Sequence, residues 1–81
     1  MISDYLQHAM AQAHYQVLPD NEGYFGWIEG FQGVWANAGS LEECRNELQE
    51  VLEEWTILSL KMGHQVPVID NIDLNTIRQV V

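Results

Sequence analysis

The residue types in this chain that could do chemistry are its three histidines, one cysteine, Ser40, and the aspartates Asp70 and Asp73. Metal binding needs ligands that return at short, regular spacing. His8 and His14 stand six positions apart across an expected helix end, and His64 is remote from both, so surface or packing roles suit all three better. Cys44 falls on the apolar face of an expected helix, where a thiol serves as a small core side chain and not as a nucleophile. Ser40 has a helix cap to make. Asp70 and Asp73 would suit general acid and base work, yet neither has a histidine or other base near it in sequence. Gly23, Gly26, Gly30 and Gly33 match neither a dinucleotide-binding nor a phosphate-loop spacing. No acid, base and nucleophile converge, so no catalytic, metal or cofactor site is expected, and no enzyme.

The elements that would position these residues follow from periodicity and turn chemistry. Tyr5, Leu6, Ala9, Met10 and Ala13 recur at helical spacing, with Ser3 as a candidate cap and Asp4 in the first turn, so the spacing predicts a helix over 1–13. Extended runs at 14–18 and 24–29 flank Pro19-Asp20-Asn21-Glu22-Gly23, which has the composition of a hairpin turn. Gly30 and Gly33 bracket a second bend, and Val34-Trp35-Ala36-Asn37 suits a third strand. Ser40-Leu41-Glu42-Glu43 is a capping box that opens a long helix. Leu41, Cys44, Leu48, Val51, Leu52, Trp55, Leu58 and Met62 share its apolar face, and Gly63 is placed to close it in the left-handed conformation. Val66-Pro67-Val68-Ile69 reads as a fourth, edge strand, because proline cannot donate within a ladder. The expected architecture is α+β: a helix followed by a βββαβ unit whose antiparallel sheet is covered by one long helix. A single domain over 1–81 is expected, with its core at 14–69 and a short tail at 70–81.

Three surface features need an explanation beyond folding. Trp27, Phe31 and Trp35 put three large rings into a short stretch, which suits either core packing or anchors at an interface. Glu43, Glu47, Glu50 and Glu54 form one acidic stripe along the long helix. Ile57 and Leu60 project away from its main apolar face, so the last turns are apolar nearly all round and need cover. A lone helix on the sheet also leaves the other sheet face unprotected, so self-association or partner binding is expected.

Composition narrows the choice of partner. Twelve Asp and Glu against three Lys and Arg give a formal net charge of −9 over 81 residues. Three scattered cations cannot make the phosphate contacts that drive nucleic-acid binding, so no direct nucleic acid is expected. Such a field attracts a basic partner, although acidity also serves simply to keep a small domain soluble. One cysteine excludes an internal disulfide, no stretch is apolar enough to span a membrane, and no cation precedes Arg45 as a targeting segment would require. A cytoplasmic protein is expected.

Residues 23–68 resemble the HicB family of bacterial antitoxins. Gly23-Tyr24-Phe25-Gly26-Trp27-Ile28 is similar to the family's glycine-aromatic second strand, and Gly30-Phe31-Gln32-Gly33-Val34-Trp35-Ala36 to its Leu-Pro-Gly turn into strand three, with Gln32 in place of the proline. Gly39-Ser40-Leu41-Glu42-Glu43-Cys44 resembles the family's Gly-Asp-Thr-Leu-Glu-Glu-Ala junction, and Gln65-Val66-Pro67-Val68 its closing strand. The resemblance implies a partial RNase H-like topology with an extra helix at the front. It also implies a role: binding and occluding HicA, a small basic toxin that cleaves messenger RNA. Many HicB proteins carry a C-terminal DNA-binding module, whereas the residues after Asp70 are too few for one and hold only Arg78 as a cation, so a short, stand-alone member is expected.

On this reading Glu29, Glu43, Glu47, Glu50 and Glu54 would steer the toxin in, and Trp27, Phe31 and Trp35 would anchor it. Ile57 and Leu60 would serve self-association into a dimer or tetramer. The alternative is an orphan homo-oligomeric interaction or ligand-sensing domain with no toxin partner.

Overall fold

Three short runs rich in aromatic and small apolar residues suit extended backbone, and along two longer runs apolar residues recur every three to four positions, and the chain folds accordingly. In the computed structural model, which describes residues 2–75, helix α1 (Ile2–Ala11) leads into strands β1 (Ala13–Val17), β2 (Tyr24–Ile28) and β3 (Trp35–Ala38), and helix α2 (Leu41–Lys61) follows. The fold is α+β, with a three-stranded antiparallel sheet in the order β1-β2-β3. Helix α1 begins one residue ahead of Ser3, so Ser3 sits inside its first turn and does not cap it, and it ends at Ala11, which frees Ala13 to start β1. No helix among the described residues is long and apolar enough to cross a membrane.

The turns set the register. Asp20 and Asn21 both take positive φ, 57° and 58°, and the Glu22 N–H donates to the Pro19 carbonyl at 3.1 Å. This is the type I′ geometry whose twist matches paired strands. Between β2 and β3 two turns run back to back, with the Phe31 N–H donating to Ile28 and the Val34 N–H to Phe31, both at 3.2 Å. Gly30 and Gly33 hold the third position of each turn at φ 83° and 90°, a requirement of type II turns. Together the two turns fold Phe31 and Val34 back into the core.

Helix α2 covers one sheet face. Ser40 caps it, its hydroxyl accepting from the Glu43 N–H at 3.1 Å and donating to the Glu43 carboxylate at 3.0 Å. At the other end the His64 N–H reaches the Ser59 carbonyl and the Gly63 N–H the Leu60 carbonyl, with Gly63 at φ 76°, which is a Schellman closure. Gly26 permits the closest helix approach: a Cβ there would stand 3.1 Å from both Cys44 Sγ and the Tyr15 ring.

The buried face of α2 is Cys44, Leu48, Leu52, Thr56 and Ser59. Leu41, Leu58 and Met62, expected on that face, are exposed, while Val51, Trp55 and Leu60 pack half-buried against the core. The reason is length. A helix of 21 residues extends about 31 Å, against about 17 Å for a five-residue strand, so its last turns run past the sheet. There they pack on the 28–34 turns, where the Phe31 and Trp55 rings meet edge to face at 5.2 Å.

The expected fourth strand does not form. Among the described residues, 66–68 pair with no strand, and a bridge joins Ile69 to Ile72 across Asp70 and Asn71, both at positive φ. Pro67 has no N–H to give, and both backbone groups of Val66 bond to the side chain of Asn75. Within the expected short tail at 70–81, Leu74 is buried and with Val66 and Ile69 joins Tyr5, Ala9, Ile28, Ala36 and the buried side of α2 in one core cluster. The rest of the expected tail, including Arg78, lies outside the described residues.

Candidate functional site

Strand alternation gives the sheet two unlike faces. Tyr24, Gly26 and Ile28 of β2 face α2, so Phe25 and Trp27 face the other way, which α2 leaves uncovered. Register brings partners to them from both sides: Trp27 lies opposite His14 and Trp35, and Phe25 opposite Gln16 and Asn37. The rings form a continuous row. His14 stacks on Trp27 with centroids 5.3 Å apart, Trp27 on Phe25 at 5.7 Å, and Phe25 on Trp35 at 5.8 Å, with interplanar angles of 24°, 29° and 29°. Trp35 is 53% exposed. Where the row meets the 28–34 turns there is a shallow concavity of about 400 Å³, lined by Phe25, Trp27 and Trp35, with Phe31, Gly33 and Val34 at its floor and edge among others.

Of the three rings expected as anchors, Trp27 and Trp35 lie in this row and Phe31 does not. Phe31 is 3% exposed, wedged edge to face between Tyr5 and Trp55, and belongs to the core. Phe25 and His14 take its place. Their signal was available in the period-two alternation of Phe25 with Trp27, combined with the hairpin register that sets His14 opposite Trp27.

The acidic residues stand elsewhere. Glu29 is exposed just beyond β2, and Glu43, Glu47, Glu50 and Glu54 are exposed along α2. Because α2 buries Cys44, Leu48 and Leu52 against the inner sheet face, these four carboxylates and the aromatic row lie on opposite sides of the molecule. Glu43 is also engaged in the α2 cap. A flat partner therefore meets either the rings or the stripe. Ile57 and Leu60 are likewise parted: Ile57 is exposed, whereas Leu60 packs against the core.

The remaining titratable groups serve the frame. Burial pushes the Cys44 thiol upward from its usual range, with Glu47 adding to the effect, and Cys44 Sγ sits 3.6 Å from the Ala36 carbonyl. Burial, reinforced by Asp73, pushes Tyr5 up to about 12, and its hydroxyl donates to the Pro67 carbonyl. Asp70, remote from any histidine in sequence, is brought to His8: Nδ1 lies 2.8 Å from one carboxylate oxygen, and Gln12 Nε2 is 3.5 Å from the other. At about half exposure such a pair adds on the order of 0–1 kcal/mol, and its effect is to fasten the C-terminal segment to α1. Among the described residues no three His, Cys, Asp or Glu stand together where they could hold a metal ion.

Comparison with known proteins places the chain. No curated protein matches it. Among solved structures it is similar to the crystal structure of TTHA0281 from Thermus thermophilus, with a TM-score of 0.83 and 38% identity over 90% of each chain. A UPF0150-like match spans residues 4–67, from the first turn of α1 through α2 to Pro67, and so this chain belongs to the UPF0150-like family.

Proposed function

We propose that this chain is a partner-binding protein of the antitoxin kind, which docks on a small basic, HicA-like mRNA-cleaving toxin and occludes it. The observation that carries this reading is the uncovered aromatic row His14, Trp27, Phe25 and Trp35 on a chain of net charge −9. An exposed row of large rings supplies the anchors that dominate binding energy at interfaces. The charge supplies a field that draws in a cationic protein and turns phosphate backbones away. Membership of the UPF0150-like family is compatible with a small protein of a toxin–antitoxin kind. A ribonuclease must present positive charge to RNA, so an acidic protein seated there competes for the same surface. Glu29 and the α2 stripe act at long range, and the rings act on contact.

The test uses the chain as bait in a lysate of its source organism. Capture of a small basic protein whose RNA cleavage stops on addition of the chain is the expected result. Capture only of further copies of the chain, or of a protein whose RNA cleavage is unaffected, overturns the reading.

A second reading, a homo-oligomeric interaction or ligand-sensing domain without a toxin, draws on the exposure of Ile57, Leu58 and Met62 around the end of α2. Replacing Ile57 and Leu58 by polar residues and weighing the species in solution tests it, since an unchanged mass removes these positions from any self-interface.

A further inference from the structure

We propose, building on the reading that the chain binds a basic protein, that the outer sheet face is an arginine-selective docking surface, on which a guanidinium group of the partner stacks against Trp35, the exposed end of the aromatic row. Four features of the face lead there. First, stacking within the row engages Trp27 and Phe25 with two ring neighbours each, whereas Trp35 stacks only on Phe25 among the described rings and is 53% exposed, which leaves it a ring face to offer. Second, aside from His14 the outward positions of the strands are uncharged, with Gln16 and Asn37 flanking Phe25, so the attraction the face offers at contact is the negative quadrupole of its rings. Third, no cation among the described residues is seated on these rings. Among the described residues neither Arg45 nor Lys61 lies over any of these rings, and both belong to α2 on the other side of the sheet. Fourth, Asn37 Nδ2 donates to the Tyr24 carbonyl at 2.9 Å, which turns the amide so that its oxygen is the group left to accept, beside Phe25.

This combination separates arginine from lysine. A guanidinium is planar and weakly hydrated, so it can lie flat on a ring and still point N–H groups sideways at an amide oxygen. An ammonium is a compact, strongly hydrated charge that loses more water to reach the same place. A second copy of this chain suits the face less well. It would bring together two chains of net charge −9, whereas a cationic partner is drawn in by that field.

The experiment uses the full chain and two capped peptides of equal length and charge, hexa-arginine and hexa-lysine, titrated by tryptophan fluorescence at low and physiological salt. The arginine peptide is expected to bind about fivefold more tightly, as stacking a guanidinium group at an exposed site gives. That preference should vanish in Trp35→Leu, with circular dichroism verifying the fold of the variant. A Glu47→Gln, Glu50→Gln double variant should weaken both peptides alike and leave the preference intact. Equal affinity for the two peptides, or a preference that survives in Trp35→Leu, overturns the proposal. So does a concentration-dependent doubling of mass that Trp35→Leu abolishes, because the face would then belong to a second copy. Failure here is distinct from failure of the proposed function: a toxin captured and silenced without arginine preference removes only this inference, and arginine preference without a toxin removes only the other.

Discussion

Asn75 turns both ends of its side-chain amide on the backbone of Val66, accepting from the Val66 N–H at 2.7 Å and donating to the Val66 carbonyl at 2.9 Å. A neighbouring strand would have offered the same two bonds, so one side chain stands in for a strand at the point where the chain returns to the core. Asp73 holds the amide in place by accepting from Asn75 Nδ2 at 2.8 Å and from its backbone N–H at 2.9 Å. Val66 is buried, so Asn75→Ala leaves both of its backbone groups unpaired away from water. The expected loss is about 2–4 kcal/mol, read from the urea midpoint. Asn75→Asp should cost more at neutral pH, since it keeps an acceptor, loses the donor and sets a carboxylate against Asp73. Midpoints equal to that of the parent protein would show that the Val66 segment is held by other means.

Thr56 is fully buried on α2, and its hydroxyl has no hydrogen-bond partner among the described residues. A buried hydroxyl without a partner costs free energy that a methyl group of similar shape does not. Thr56→Val should therefore raise stability by about 1 kcal/mol, or roughly 4–8 °C in Tm for a chain of this size. Thr56→Ser, which keeps the hydroxyl and opens a void, should lower it. A fall in Tm for the valine variant would mean that the hydroxyl is bonded in solution.

How far the sequence discloses this molecule depends on how local each decision is. The α2 cap acts between Ser40 and Glu43 and its closure between Ser59 and His64, so both are legible at short range. The same holds for the type I′ turn at Asp20 and Asn21. Residues 66–69 read as a strand because Val66, Val68 and Ile69 favour extended backbone, but pairing is non-local, and here Asn75 takes the bonds. Leu58 and Met62 continue a helical period whose partner surface has already ended, which no period can reveal. At the site, the excess of rings is visible at Trp27 and Trp35. That Phe31 turns inward depends on two consecutive turns, each needing a positive φ at glycine.

Gly26 lies where α2 comes nearest to β2. An added Cβ would be 3.1 Å from Cys44 Sγ, which the helix backbone fixes, and 3.1 Å from the Tyr15 ring, which is half-buried and freer to give. Gly26→Ala is expected to destabilise by about 1–3 kcal/mol as α2 is pushed off the sheet. Cys44→Ala removes the sulfur and should make the double variant more stable than the sum of the two single changes allows. Strict additivity in that cycle would place the strain at Tyr15.

Tyr5 couples the core to alkaline pH. Its hydroxyl is pushed from 10.0 to about 12, by burial first and by Asp73 second. Between these values the folded chain holds a proton that the unfolded chain has released, so stability is intact below pH 10 and falls as pH rises toward 12. The loss should be on the order of 2–3 kcal/mol across that window. Tyr15, raised mainly by burial, adds to it with the same sign. Tyr5→Phe removes the bond to the Pro67 carbonyl, so the variant should begin less stable at neutral pH and show a shallower decline above pH 10. Parallel declines for the two proteins would assign alkaline unfolding to another group.

Phe31 and Trp35 lie four positions apart and should answer mutation in opposite ways. Phe31 is 3% exposed and packs edge to face on Tyr5 and Trp55, so Phe31→Ala should cost about 3–5 kcal/mol through lost burial and the cavity left behind. Trp35 is 53% exposed on an edge strand and stacks only on Phe25 among the described rings, so Trp35→Ala should cost under about 1 kcal/mol. Binding reverses the order. A basic partner or arginine peptide should be weakened at least tenfold by Trp35→Ala, while Phe31→Leu, which keeps most of the buried volume, should leave affinity within about twofold at temperatures where that variant is folded. Urea titrations paired with fluorescence binding curves measure both. If Trp35→Ala destabilises as strongly as Phe31→Ala, Trp35 belongs to the core and the outer face loses its anchor.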